Sequence, residues 1–292
     1  VLDIALLRCP ACSAPLREEE AILTCTQCKA RYPVENGVPR FVEELSQHTV
    51  AAHTTRKTPL RIMARWLRPP HHSVYFDTMT SSVGEGKRLK QLLREHPDAI
   101  VLNIGSLSKD LKDMHRRMLN LDLVAYPNVD VVADAHRLPF VDESMDIVLF
   151  KNVLEHVRDP LTVMEEIQRV LKPGGLLFIK LPFLQPFHAV PDDYQRYSVS
   201  GIKELLKDYE ELSFSIAVGP GSMLSWILRE WFAVLTSFGN VMLYNVGLIV
   251  WGWLTFWLKY TDLLFQRNCL SERVASAFQG VYRKKLPGEE RP

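Results

Sequence analysis

Apolar positions along this chain follow three patterns. In the middle, short apolar runs at Ile100 to Ile104, Val129 to Val132, Ile147 to Phe150 and Leu176 to Leu181 are separated by segments of helical period such as Pro160 to Leu171. Runs of this length predict buried strands, and strands alternating with helices predict an α/β fold, a doubly wound, mostly parallel sheet. Such sheets bind ligands outside the carboxyl ends of their strands. A helical stretch near Gly86 to Glu95 precedes the first strand, Asp159 and Pro160 suit a helix start, and Gly174-Gly175 suits the end of that helix. Before this region the chain is polar and basic from Glu43, with His48, His53, Arg56, Lys57 and Arg61 and one short amphipathic helix around Leu60 to Leu67, which reads as a linker. After it, no charged residue occurs from Trp231 to Leu258. The expected division is 1–42, a linker at 43–75, the α/β domain at 76–220, and a hydrophobic helical C-terminal region at 221–292.

Composition narrows the function classes. A chain of 292 residues with 47% hydrophobic and 24% charged residues can bury a full core. Lysine and arginine total 35 against 34 acids, a formal charge of +1. A dedicated nucleic-acid binder usually carries a basic excess, so a nucleic-acid partner is not expected. Val1 to Leu7 is too short for the apolar core of a signal peptide, which predicts a cytoplasmic body.

Four of the five cysteines form two C-x-x-C pairs, Cys9 with Cys12 and Cys25 with Cys28, separated by twelve residues. This is metal-ligand spacing, and four thiolates complete a closed tetrahedral zinc site with no open coordination position. The competing reading is a pair of redox disulfides, which a reducing compartment disfavours. Cys269 reads as an ordinary semi-buried thiol. Arg31 to Phe41 follows with two short strands around an Asn36-Gly37 turn. Together with Leu7-Arg8-Cys9-Pro10, the segment resembles the zinc-ribbon family of small activators of tRNA and protein methyltransferases. The resemblance implies structural Zn²⁺ and a protein partner through the ribbon.

The central domain carries a second resemblance. Val101 to Gly105 is followed by Ser106-Leu107-Ser108-Lys109-Asp110, Asp122 closes the next strand, and Val131-Val132-Ala133-Asp134-Ala135-His136-Arg137-Leu138-Pro139-Phe140 follows. Asp142 to Val148, Asn152-Val153-Leu154-Glu155-His156-Val157 and Arg169 to Gly175 complete the set. Together these segments resemble the Rossmann-like class I S-adenosylmethionine-dependent methyltransferases, in the type 11 branch. The resemblance implies S-adenosylmethionine as cofactor, with Gly105 giving the methionine moiety room, Asp122 on the ribose hydroxyls, and Asp134 and the Ala135 N–H on the adenine. Leu107 and Lys109 stand where the family has glycines, a departure that crowds the cofactor turn. Asp122 has a plain alternative as a solvated loop residue. Glu155 and His156 fit either an acid/base pair or the structural role usual at that place in the family.

Past the strand at Leu176 to Leu181, the segment His188 to Ser198 brings together His188, Asp193, Tyr194 and Arg196 where the family closes over its acceptor. His188, Tyr194 and Arg196 are the candidate catalytic residues, against the alternative of a hydrogen-bond network between strands. The charge-free stretch 231–258, with Trp251, Trp253, Trp257, Lys259 and Tyr260, has three readings: a peripheral or re-entrant membrane helix, a full span, or helices packed on the sheet or a partner. On the first two, the protein associates with the inner face of the membrane and its small-molecule acceptor is lipid-like or membrane-borne. The expected function is methyl transfer from S-adenosylmethionine. Its alternatives are a degenerate methyltransferase fold acting as scaffold or regulator, and an RNA base methyltransferase.

Overall fold

The computed structural model describes residues 2–42, 81–106, 111–188, 192–265, 268–286 and 288. The expected linker with its helix at Leu60 to Leu67, and the departures at Leu107 and Lys109, lie outside these residues.

The N-terminal unit is a four-stranded antiparallel sheet in the order β1 (Leu16–Glu19), β2 (Ile22–Cys25), β3 (Arg31–Glu35), β4 (Val38–Pro39). Asn36 and Gly37 both have positive φ, as the tight turn between β3 and β4 demands.

The central unit is a seven-stranded sheet. Its strands are β5 (Val101–Ile104), β6 (Met118–Asp122), β7 (Val131–Val132), β8 (Met145–Lys151), β9 (Leu171–Pro182), β10 (Tyr209–Val218) and β11 (Ala277–Lys284), in the spatial order β10-β11-β9-β8-β5-β6-β7. From β9 to β7 all pairs are parallel, and β11 is inserted antiparallel to both neighbours. β5 is buried along its whole length, as expected of a parallel strand covered on both faces. The expected α/β sheet is therefore present, with helix α1 (Ser81–Glu95) leading into β5, α2 (Pro160–Val170) between β8 and β9, and α3 (Val199–Leu205) between β9 and β10. Asp159 caps α2 by accepting from the Thr162 N–H, with Pro160 in the first turn. The end of α2 differs from expectation. Leu171 is both its C-cap and the first residue of β9, so Gly174 and Gly175 lie inside the strand. There the β8–β9 register shifts and Gly174 takes φ +75°, so the glycines shape a bulge instead of stopping the helix.

The ribbon docks on the β7 edge of this sheet. Leu7 bridges Phe140, Arg40 bridges Val132, and the Phe41 N–H donates to the Val132 carbonyl at 2.8 Å. Leu7, Leu16 and Leu23 join Leu138 and Phe140 in one hydrophobic core. The unpaired edge that a terminal strand would offer to other chains is thus covered from within.

At the far end, β10 leads into α4 (Pro220–Ser237), a turn at Phe238 to Asn240, and α5 (Val241–Thr255). Asn240 caps α5 through the N–H groups of Met242 and Leu243. The helices run back along each other: Gly247 sits against Ala233, Trp251 stacks on Phe232, and Asp262 accepts from the N–H of Gly221 at the start of α4. Val241–Phe265 is long and apolar enough to cross a membrane by length and composition. The geometry is a hairpin, whose two ends meet at Asp262 and Gly221 on one side. Along α5 the packing partner is α4, not the sheet. Cys269, expected to be semi-buried, is exposed.

Candidate functional site

The four ribbon cysteines come together as their spacing predicts. Each offers a sulfur within 4.8 Å of the others, with Cys9 Sγ 3.6 Å from Cys28 Sγ and Cys12 Sγ 3.4 Å from Cys25 Sγ. A tetrahedral zinc with bonds of about 2.3 Å places its sulfurs roughly 3.8 Å apart, so the set fits the ion with little movement. All four are free thiols. Burial opposes ionisation of Cys25, but backbone N–H groups of Gln27 and Cys28 and the neighbouring thiols bring it down to about 6. Cys28 receives the Ala30 N–H, yet Cys25, Cys12 and Cys9 push it up to about 12. Four sulfurs this close cannot all ionise without a cation between them, which is the requirement a structural Zn²⁺ meets.

The residues expected for the cofactor gather at the carboxyl ends of adjacent strands. Gly105 follows β5 with φ +70°, and a Cβ there would come within 2.3 Å of Val153 Cγ2. This glycine is required both by its dihedral and by the segment after β8 crossing against it. Asp122 ends β6, buried, and accepts from the Val124 N–H at 3.1 Å. Asp134 follows β7 and caps the single turn Ala135–Arg137, its Oδ1 accepting from the His136 N–H at 2.9 Å and facing His136 Nδ1 at 2.6 Å. Ala135 is buried at the start of that turn. Beside them, Asn152 takes φ +52° after β8, and its Oδ1 is buried without a hydrogen-bond partner. An orphaned acceptor at the carboxyl end of β8 suits a bound donor there. An open groove between Arg88 and Arg283 lies at the opposite, amino ends of β8 and β9 and takes in none of these residues.

The third group lies past β8 and β9. His188 and Arg196 are joined through Asp193: the His188 N–H donates to Asp193 Oδ2 at 2.9 Å, and the Arg196 guanidinium donates to both Asp193 oxygens. Arg196 also donates to the carbonyls of Gln185, Pro186 and Gln195. Its donors are thus spent on holding Gln185, Pro186, Asp193 and Gln195 around it. Burial would raise Asp193, but the Arg196 and His188 donors hold it down at about 2. Tyr194 is placed differently. Its hydroxyl donates to Asp192 at 3.0 Å, its ring lies under Arg158, and it is largely exposed.

Glu155 and His156 stand against this loop. His156 Nδ1 lies 2.5 Å from the Asp192 carbonyl, and its ring meets His188 edge-on at 5.5 Å between centroids. Burial pushes the Glu155 carboxyl up to about 7, against the opposing pull of its own backbone N–H and then of Arg196, and burial lowers His156. His188 also faces the Trp226 ring at 5.6 Å, on α4. Sequence alone offers no signal for that contact, because it joins the loop after β9 to the helical hairpin across 38 residues.

Residues 82–179 match the family described as a methyltransferase domain, and residues 4–37 match the family described as Trm112p-like protein. The chain thus carries a segment similar to a methyltransferase domain and, before it, a segment similar to a Trm112p-like protein. It is 29% identical over 129 residues to the ubiquinone/menaquinone biosynthesis C-methyltransferase UbiE of Coxiella burnetii, covering 43% of this chain and 50% of that one. An uncharacterized 37.1 kDa transposon protein of Streptomyces fradiae is 38% identical over 87 residues, 30% of this chain and 24% of that one. The matched segments thus span half or less of these two relatives. Among solved structures, the complex between the Haloferax volcanii Trm112 methyltransferase activator and a methyltransferase aligns with a TM-score of 0.47 at 13% identity, covering 83% of this chain and 100% of that one. Haemonchus contortus phosphoethanolamine N-methyltransferase 2 aligns with a TM-score of 0.46 at 16% identity, covering 85% and 62%.

Proposed function

We propose that this chain transfers a methyl group from S-adenosylmethionine to an oxygen, nitrogen or carbon nucleophile of a lipid-like acceptor that approaches from a membrane surface. The observation that carries the acceptor class is the contact of His188 with Trp226, which puts the acceptor loop at the base of an apolar helical hairpin. Gly105, Asp122, Asp134 and Ala135 hold the cofactor: Asp122 accepts from the ribose hydroxyls, and Asp134 accepts from the adenine amino group beside the Ala135 N–H. The bound cofactor supplies an activated methyl on a sulfonium, so the protein contributes mainly position and exclusion of water. His188 faces the acceptor, Arg196 fixes the loop that carries it through Asp193, and Tyr194 flanks the opening from its exposed position.

The hairpin supports a shallow seat in one leaflet. Glu230 is halfway along α4, paired with Arg229 at 2.6 Å and accepting from Tyr244 of α5. Beyond this polar station, α4 continues for seven residues, about 10 Å of helix, to an exposed tip of Phe238, Val241 and Met242. That is the depth at which an interfacial helix sits. Two relatives named for ubiquinone and menaquinone biosynthesis are named for products that are themselves membrane lipids, which agrees with this acceptor class.

The test is calorimetric titration of the full chain with S-adenosylmethionine, followed by transfer of labelled methyl into a lipid extract. Saturable binding is expected, weakened about tenfold or more in Asp134→Asn, the scale of one charge-assisted hydrogen bond. Label is expected in the organic phase. No binding at millimolar cofactor overturns the enzyme reading, and label confined to aqueous products overturns the lipid one.

A further inference from the structure

We propose that Glu155, His156 and His188 form a metal site separate from the ribbon cysteines, for a divalent transition ion of the zinc type, between the segment after β8 and the segment after β9. One ligand atom from each lies within 4.8 Å of the other two, and Glu155 Oε1 is 3.8 Å from His156 Nε2. Nitrogen and carboxylate ligands at about 2.0 to 2.2 Å from zinc stand roughly 3.4 Å apart, so side-chain rotation alone closes the set.

The tautomers point the same way. Asp192 presents a carbonyl to His156 Nδ1 at 2.5 Å and Pro186 presents one to His188 Nδ1 at 3.0 Å. A carbonyl only accepts, so each Nδ1 carries a proton, and in the neutral ring it is Nε2 that has the lone pair for a metal. Anchoring one ring nitrogen on a backbone carbonyl is how proteins orient histidine for metal at the other. Arg196 Nη2 lies 3.3 Å from His188 Nδ1, farther than the Pro186 carbonyl, and has Asp193 as its partner at 2.6 Å.

The carboxylate supplies an independent argument. Glu155 is 1% exposed, and its Oε2 is buried with no hydrogen-bond partner. An oxygen withdrawn from water without a partner costs about 1–3 kcal/mol, a penalty that a structure retains where something else satisfies it. A cation held with two imidazoles does so. Three protein ligands leave a fourth position open, unlike the closed site of the ribbon. The His156 and His188 side chains keep 19% and 29% of their exposure, so water or an oxygen of the acceptor can reach that position. The site would take a hydroxyl, phosphate or carbonyl oxygen as its exogenous ligand.

The competing occupant is a proton shared between Glu155 and His156, and metal counting separates the two. Full-length protein stripped of metal is titrated with Co²⁺, and bound ion per chain is measured by elemental analysis. Two equivalents are expected: one with the intense near-ultraviolet thiolate-to-cobalt band of the ribbon, and one with weak visible bands alone. Glu155→Gln and His188→Asn are each expected to weaken the second equivalent by roughly hundredfold or more and to leave the thiolate band intact. That band and the far-ultraviolet spectrum report that the variants still fold. A single equivalent in the unaltered protein, or a second equivalent that survives both substitutions, overturns the proposal. The count involves no methyl donor, so failure of the methyl-transfer reading leaves it standing.

Discussion

The ribbon and the helical hairpin are attached at opposite edges of one sheet, and they treat apolar surface in opposite ways. The ribbon follows the β7 edge and turns Leu7, Leu16 and Leu23 into a core shared with Leu138 and Phe140. The hairpin follows β10 and leaves Trp231, Val234, Leu235, Phe238, Val241 and Met242 in the open. A small unit with a four-cysteine cluster that could hold zinc gains from both a metal and a neighbour, and here the neighbour is its own chain. Contiguous exposed apolar surface of the hairpin's kind marks an interaction site.

The largest effect that breaks this comparison is loss of the ribbon metal. Cys25→Ser removes one of four thiolates, and a structural zinc site contributes about 10–16 kcal/mol to folding, as much as or more than the stability of a whole domain. The ribbon is expected to unfold, to lose its thiolate-to-cobalt band, and to uncover both Phe140 and the β7 edge. Light scattering on heating should then show early aggregation. Unchanged melting in a zinc-free Cys25→Ser protein would mean that the sheet holds the ribbon without metal.

A smaller effect sharpens the other half. Phe238→Asp combined with Met242→Asp changes two residues that touch solvent, so the melting temperature should stay within about 2 °C. On a leaflet each of these side chains contributes about 1.5–3 kcal/mol, so flotation with anionic vesicles should fall by roughly hundredfold or more. Equal flotation of the altered and unaltered proteins would leave the hairpin to a protein partner.

The two regions also differ in how far the sequence disclosed them. The C-x-x-C spacing was enough to bring Cys9, Cys12, Cys25 and Cys28 together, because two local turns present two sulfurs each. The strands at Val101 and Met145 were legible because a doubly covered parallel strand is a continuous apolar run. The hairpin was legible as apolar but not as a hairpin, since the contacts of Gly247 with Ala233 and Trp251 with Phe232 depend on how two helices of uniform hydrophobicity pair. Gly174-Gly175 misled, because a glycine pair after a helix signals a stop whether the chain leaves the helix there or, as here, three residues earlier at Leu171. Within the site, His188 and Arg196 read as one cluster from proximity in sequence. The role of Arg196 as a clamp on Asp193 and three carbonyls needed the folded loop.

The smallest effect tests an ion-pair cluster that ties ribbon to domain. Asp142 Oδ1 accepts from Arg8 of the ribbon at 2.6 Å and from Arg169 of α2 at 2.8 Å, while Arg169 also donates to the Phe140 carbonyl at 2.7 Å. The Arg169 hydrogen bond, helped by the charge of Arg8 and opposed by slight burial, holds the Asp142 carboxyl below its ordinary range. An acid with a lowered folded pKa stabilises the fold above its unfolded pKa, near 3.9, and loses that contribution as pH falls through the lower folded value. Asp142 is exposed over more than half of its side chain, so solvent screens the pair and Asp142→Asn should cost about 0.5–1 kcal/mol. The difference in urea midpoint between the two proteins should therefore be constant from pH 5 to 8, shrink below about pH 4, and fall with added salt. A loss several times larger, insensitive to salt, would mean that Asp142 holds the ribbon by geometry through Arg169 and the Phe140 carbonyl, and that the ribbon's hold on the sheet is less purely hydrophobic than its shared core suggests.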